Sequence, residues 1–477
     1  MYRYLVTLIA ILCIPAVHYA RVFPAEGAVL NYVLVGFSAD VPKNGASFKF
    51  EVAKGYYNNL DSFRRNIVAA GAGRNGRAVL RLPAFGMQYT WRIVGADKQA
   101  VVHLQHFSTD AISMVDTNHV RLHVTTKDKL RKDGYLFLDF NKILYDINGA
   151  PLWYLRPFAG AEFDRMVVRD LKLTPQHTIT LIMNDVPYEI DYDCNVLWKG
   201  PDNGKVSGDS IEYYHHEFTR LNSGRYMVLG SEKRVWAPAT PVDPATPVTD
   251  KKITFGTVIE YDKAGNVTWS WKSSTFYQHA NIPYERPAGS EFDIHENAFC
   301  FDERQKAVYV SFKNIDQVVK VNYPAGTIAN TFTRPLFCLQ HNCRKSAKGY
   351  MMIYDNNSCA EEPIPKLTLF SEPASGKGPG KKIWSFDCPI LATNIHKGMK
   401  PKITNGGSIC ELSDNSIFAS NCAPYADIFI VTRAKKITWY AAPQQWDEKE
   451  QRWFALPQYR ASFIERSGEL EKVIFNR

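Results

Sequence analysis

Short alternating runs of apolar and polar residues fill the chain. Between residues 21 and about 110 they read VLNYVLVGFSA, ASFKFEVAKG, GRAVLRLPAF, QYTWRIVGAD and AVVHLQHFST, with Gly, Pro, Asn and Asp between them. A period of two residues bounded by turn formers predicts strands, and five such runs in succession predict a small β-sandwich over residues 21–110.

Beyond residue 110 the pattern repeats. One motif is a strand ending in an acid or amide, a turn, and a strand carrying an aromatic. It reads ILYDINGAPLWYL (143–155), EIDYDCNVLWKG (189–200, with Asn195 at the turn), VIEYDKAGNVTWSW (258–271) and VVKVNYPAGTIANTF (318–332). Looser copies are LTLFSEPASGKGPGKKIWSF (367–386), IFIVTRAKKITWYA (428–441) and ASFIERSGELEKVIF (461–475). A second motif, a strand, a turn and a strand, precedes most copies: FTRLNSGRYMVLGSE, AFCFDERQKAVYVSFKN, NCRKSAKGYMMIYDNN and GSICELSDNSIFASNC. Two hairpins per unit make a four-stranded blade, which predicts an all-β chain whose residues 111–477 form a six-bladed β-propeller. The final hairpin is then either an extra one or the piece that completes the first blade. The Pro-rich stretch 233–255 is predicted to be a loop.

Composition changes this picture little. Hydrophobic residues make up 45% and charged residues 22% of the 477, as in a globular protein with a substantial core. A net charge of +9 with no long Lys/Arg run gives no reason to expect nucleic acid, and a mild positive field suits anionic small molecules. The start, MYRYLVTLIAILCIPAVHYA, has Arg3 before a short apolar run, and predicts a secretory signal over residues 1–20. Export to the periplasm or medium is expected, with lipidation at Cys13 a poor fit because Leu12 precedes it. No later segment is apolar enough to give a stable membrane span. Without the signal eight cysteines remain: Cys194, Cys300, Cys338, Cys343, Cys359, Cys388, Cys410 and Cys422. An even number in an exported chain permits disulfides, and no CxxC pair suggests a zinc knuckle.

The candidate chemistry lies in HHEFTRLNSGRYMVL, DIHENAFCFDERQKAVYVSFKN and LQHNCRKSAKGYMMIYDN. Each has a histidine just before the innermost hairpin of its unit: His216, His295 and His341. One histidine at a strand start is usually a structural residue. Three at the same repeat position are expected to point into one shared channel. Strand alternation predicts that His215 turns away if His216 faces in. His103, His106, His119, His123, His177, His279 and His396 follow no such register and are read as structural or surface residues. Three imidazoles could bind zinc with an open position, or one could act as a nucleophile beside two proton-transfer or oxyanion-binding partners. Lys313, at the far end of the hairpin that begins near His295, would supply fixed positive charge for a tetrahedral anion.

These motifs resemble those of the bacterial arylsulfate sulfotransferase family, which works without a nucleotide sulfate donor. The likeness runs from about residue 25 to the end, and a small β-sandwich followed by a six-bladed propeller is that family's fold. YTWRIVGAD followed by HLQHFST is likewise similar to the closing strands of a fibronectin III/Ig-like domain. The resemblance implies that His341 is the nucleophile that becomes sulfurylated. His216 and His295 would orient or polarise the sulfuryl group and its leaving phenoxide. Asn297 would support His295 or contact a substrate oxygen. Lys313 stands where the family has Arg, and so keeps the charge but lacks the planar fork. The implied reaction is ping-pong, from an aryl sulfate to a phenol, with no metal and no cofactor. No P-loop or dinucleotide fingerprint is present to bind one. The expected partners are these small molecules, and a homodimer is the assembly considered. Cys338 and Cys343 bracket His341 and are expected to form disulfides that fix its loop. Two other readings stay open: an exported propeller that binds a glycan or protein without catalysis, and a metal-dependent hydrolase using the three histidines.

Overall fold

An acidic residue at the end of a strand does a definite job in the repeats. In the computed structural model the Asp146 carboxylate accepts the turn N–H groups of Asn148 and Ala150, and Asp191 and Asp262 accept those of Asn195 and Asn266. Each turn then needs a left-handed residue. Gly149 (φ 88°), Gly265 (φ 83°) and Gly326 (φ 72°) supply it at no steric cost, and Cys194 (φ 67°), rather than its neighbour Asn195, supplies it in the second copy. The structure describes residues 22–40, 48–95, 100–129, 131, 133–236, 251–277, 292–361, 363–390 and 405–476. The expected signal segment and Cys13, together with His279 and His396, lie outside them.

The chain is all-β, with short helices at Leu60–Arg65, Ser273–Tyr277 and Ser467–Ile474. Two compact units are present, one of residues 1–30 and 34–109, the other of residues 31–33 and 110–477. The first holds a three-stranded and a five-stranded sheet, in which Gln88–Val94 pairs antiparallel with both Phe48–Lys54 and Ala100–Thr109. The pair Glu51 and Arg92 is buried on this sheet, with Arg92 donating twice to one carboxylate oxygen at 2.9 and 2.7 Å.

Among the described residues the second unit contains six sheets built on antiparallel four-strand paths. Five begin with a leading strand: Val168–Leu173, Tyr213–Arg220, Glu296–Asp302, Asn342–Lys345 and Ser408–Glu411. The first sheet takes its fourth strand from the far end of the chain, where Ala461–Ile464 pairs with Tyr135–Leu138. Leading strands of successive sheets are neighbours, and the sixth sheet lies beside Ala461–Ile464. This arrangement is compatible with a propeller-like β fold. The tail after Ile464 is helical rather than the expected hairpin: SGELEKVI buries Leu470, Val473 and Ile474 on one face, a helical spacing that outweighs the turn-like Ser-Gly. The stretch 233–255 is also not all loop. Residues 233–236 pair with 251–254, so Tyr226–Trp236 and Lys251–Tyr261 form one long hairpin.

The repeated tryptophans join one sheet to the next. Trp153 donates to the carbonyl of Tyr192 (2.7 Å), Trp271 to Gly326 (3.1 Å) and Trp384 to Arg433 (2.9 Å), each in the turn of the following sheet. Trp439 of the sixth sheet donates to Ile147 of the first at 3.0 Å. Apolar side chains fill the space between neighbouring sheets. Between the third and fourth these include Leu229, Val258, Trp271, Val308, Val310 and Phe312, each fully or nearly fully buried. At about 1.5–3 kcal/mol per large side chain, such layers are the main stabilising term. Among the described residues no helix is long and apolar enough to cross a membrane.

Candidate active site

The three histidines come from three successive sheets, and His216 and His295 are each placed by a local irregularity. Tyr213–Arg220 carries a bulge between His215 and Phe218, with His216 left-handed at φ 58°. His295 is left-handed too, at φ 57°, just before Glu296–Asp302, which has its own bulge. Its approach is set by the short strand Phe292–Asp293, which pairs parallel with Lys251–Tyr261. His341 precedes Asn342–Lys345, and its N–H donates to the carbonyl of Tyr354 across that hairpin.

The rings of His216 and His295 are 5.0 Å apart and those of His295 and His341 are 6.0 Å apart, centre to centre. Lys313 follows the same hairpin as His295, and its main-chain N–H donates to the His295 carbonyl at 2.9 Å. Its ammonium donates to Asn405 Oδ1 at 2.7 Å and its charge acts on His341. Asn297 is fully buried, and its amide donates to the carbonyl of Gln340 at 2.7 Å. It therefore braces the residue before His341.

Hydrogen bonds fix the state of His341. Its Nδ1 lies 2.7 Å from Asn356 Oδ1, while the Asn356 amide nitrogen donates to the carbonyl of Gly406 at 3.3 Å. With the Asn356 oxygen as acceptor, Nδ1 carries the proton and the Nε2 lone pair is free. Burial, then the charge of Lys313, holds His341 well below the ordinary imidazole range, and burial, then the neighbouring His215, does the same for His216. His295 differs in having a carboxylate partner, Asp293, 3.1 Å from its Nδ1. Asp293 is held below its usual range: burial opposes this, but the hydrogen bond and charge of His295 prevail.

His215 is not turned away. The bulge breaks the alternation, and His215 Nδ1 meets His216 Nδ1 at 2.8 Å. Burial pushes His215 down to about 4. The same bulge buries both Glu217 and Phe218, so the acid after the two histidines lies inside. Glu217 receives Lys172 (3.0 Å), Arg344 (2.7 Å) and Arg460 (2.5 Å), and despite its burial those three cations hold it well below the carboxylate range. Tyr459 adds an aromatic wall, its ring 5.8 Å from that of His216 and stacked on Phe140.

Sequence reasoning assigned no role to Glu217, Asn356, Tyr459 or Arg460. Glu217 stood in view as the acid of HHEF, and Asn356 at the end of the run that starts at His341. Arg460 lies in a stretch without strand alternation, where nothing marked it.

One disulfide is formed among the described residues, Cys338–Cys359. Its loop contains both His341 and Asn356. Cys343 is a free, buried thiol, so the expected disulfide at that position is corrected: its sulfur lies inside the core beneath Tyr309. No three His, Cys, Asp or Glu side chains among the described residues are disposed to hold one metal ion.

Several solved structures match parts of the chain at low identity. A protein of unknown function from Bacteroides caccae has a TM-score of 0.41 at 11% identity, covering 70% of this chain and 99% of that one. An auxiliary nutrient binding protein from Bacteroides ovatus has a TM-score of 0.38 at 8% identity, covering 95% of each. A gluconolactonase from Xanthomonas campestris has a TM-score of 0.35 at 9% identity, covering 69% of this chain and 87% of that one. No curated protein is a significant match. The family comparison is more specific, and its match includes His216, His295, Asn297 and Lys313 and stops short of His341. Over residues 124–335 this chain matches the arylsulfotransferase (ASST) family, the one its histidine motifs resemble.

Proposed function

We propose that this protein transfers a sulfuryl group from an aryl sulfate to a phenol through a histidine-bound intermediate, without a nucleotide donor. In this reading residues 111–477 are a six-bladed β-propeller, residues 21–110 a β-sandwich, and the chain acts after export. The observation that carries the proposal is the state of His341: buried, held neutral, with Nδ1 engaged by Asn356 and Nε2 left as a nucleophile.

In the first half-reaction Nε2 attacks sulfur. An N–S bond forms, the S–O(aryl) bond breaks, and its electron pair leaves on the aryl oxygen. His295, oriented by Asp293, supplies the proton that makes this oxygen a phenol. The equatorial oxygens are met by the Lys313 ammonium and a ring N–H of His216. In the second half-reaction the acceptor phenol returns its proton to His295, its oxygen bonds to sulfur, and the N–S pair goes back to His341. Asn297 braces Gln340 through its amide nitrogen, and its buried Oδ1, without a hydrogen-bond partner, is left to support His295 or meet the substrate.

One observation favours a second reading, a binding protein without turnover. Lys313 replaces the forked Arg of the family, and its ammonium is already hydrogen-bonded to Asn405. Turnover of 4-nitrophenyl sulfate with phenol as acceptor, in the presence of EDTA, decides between them. Release of nitrophenol that rises with phenol concentration supports transfer. No release supports binding, and release abolished by EDTA supports a metal-dependent hydrolase.

A further inference from the structure

We propose that Arg460 is the positioning residue of this site, one buried guanidinium that ties together the main chain at all three inner strands bearing the histidines. Its Nη1 donates to the carbonyl of His216 (3.1 Å) and its Nη2 to those of Asn297 (2.8 Å) and His341 (3.2 Å). Nη1 also donates to Asp170 (3.1 Å) and Glu217 (2.5 Å). Arg460 itself precedes the strand Ala461–Ile464 of the first sheet, and its N–H is held by Asp139 at 2.9 Å. One side chain thus reaches from the first sheet to the second, third, fourth and fifth.

The charge is largely offset where it lies, two carboxylates standing among three cations. Glu217 and Asp170 face the guanidinium, Lys172 and Arg344 pair with those carboxylates from the other side, and the Tyr459 ring lies 5.3 Å away. Both Nη groups also donate to carbonyls, while the Nε–H is buried without a hydrogen-bond partner. Fixing the carbonyl of His216 fixes a left-handed residue that the chain would otherwise leave. Fixing those of Asn297 and His341 sets the spacing between their strands. Misplacement of reacting groups by about 1 Å costs roughly 10²-fold in rate, so a device that sets ring spacing sets rate. Lysine cannot replace it, because a single ammonium lacks the two-nitrogen fork that spans these acceptors.

The kinetic arm of the test rests on the sulfuryl-transfer reading, and the spectroscopic arm does not. Full-length Arg460→Lys is compared with the parent protein in three ways: thermal unfolding, steady-state turnover of 4-nitrophenyl sulfate with phenol, and imidazole ¹H–¹⁵N spectra. The expected result is a folded variant with kcat lowered about 30- to 100-fold and KM within threefold. The ring signals of His216, His295 and His341 move, while those of His106 in the first unit do not. A folded variant with kcat within threefold and unchanged ring signals overturns the proposal, as does a lower melting temperature with normal kcat for the folded fraction. If Arg460→Lys does not fold, Asp170→Asn removes one anchor and leaves the carbonyl bonds. It is expected to lower kcat about threefold to tenfold and to shift the His216 ring signal, and full activity with an unchanged signal overturns the proposal. If the parent protein itself releases no nitrophenol, the transfer reading fails and the ring signals alone decide the role of Arg460.

Discussion

The Nδ1 of His341 and the Oδ1 of Asn356 are 2.7 Å apart, and the loop that holds both is closed by Cys338–Cys359. One polar contact thereby fixes which nitrogen of a buried imidazole is free. Asn356→Ala should leave His341 free to hold its proton on either nitrogen. We expect kcat to fall about 10- to 100-fold, as for loss of an orienting partner elsewhere, with KM little changed. Steady-state kinetics with 4-nitrophenyl sulfate measure this, and a kcat within threefold of the parent would show that the contact does not orient the nucleophile.

The pH dependence follows from the neutral histidines. An ordinary imidazole is half protonated near pH 6.5, but His341 is held well below that value by burial and Lys313. The acid limb of sulfuryl transfer is therefore expected well below pH 6.5 rather than at it. Stability moves in a definite direction too. Below about pH 6.5 the unfolded chain takes up protons that folded His215, His216 and His341 refuse. The stability is present above that pH and falls as the pH drops beneath it. Denaturant titrations between pH 7.5 and 4.5 give the sign.

In the proposed transfer Lys313 would act as a point charge on the sulfuryl oxygens. Lys313→Ala removes the only cation in the proposed sulfuryl clamp and should lower kcat/KM about 10²- to 10³-fold, the usual cost of one oxyanion-stabilising donor. Lys313→Arg should retain most of the activity, because charge is kept, and it should tighten the binding of inorganic sulfate. Equal activity of the Ala variant would remove Lys313 from the mechanism.

The disulfide closes a loop with a sequence separation of 21. Loop-closure entropy for that length gives about 3 kcal/mol, so Cys338→Ser with Cys359→Ser should lower stability by about that amount. Because the loop holds His341 against Asn356, activity is expected to fall before global unfolding begins. Parallel denaturant curves followed by activity and by tryptophan fluorescence separate the two.

Much of the architecture was legible because it is periodic. The Asp-turn-Trp repeat has a local cause, a carboxylate capping the turn, and a non-local one, an indole bonded to the next sheet. The first recurs at Asp146, Asp191 and Asp262 and the second at Trp153, Trp271, Trp384 and Trp439, so similar residues return at a similar spacing in most copies. His216, His295 and His341 could be found for the same reason. What escaped lies at breaks in that period. The bulge after His215 turns two neighbouring histidines toward each other and buries Glu217, and a bulge leaves no mark in an alternation count. Arg460 contacts carbonyl groups, which carry no side-chain identity for a sequence pattern to report. The tail after Ile464 was misread because strand and helix compete over short apolar runs, and the spacing of Leu470, Val473 and Ile474 suits the helix.

The central claim is covalent transfer at His341. Intact-protein mass after mixing with 4-nitrophenyl sulfate and no acceptor, quenched at alkaline pH, tests it most directly. The account predicts one added sulfuryl group, lost on addition of phenol and absent in His341→Ala. An unmodified mass with the parent protein under conditions where nitrophenol is released, or an adduct that persists in His341→Ala, would contradict it.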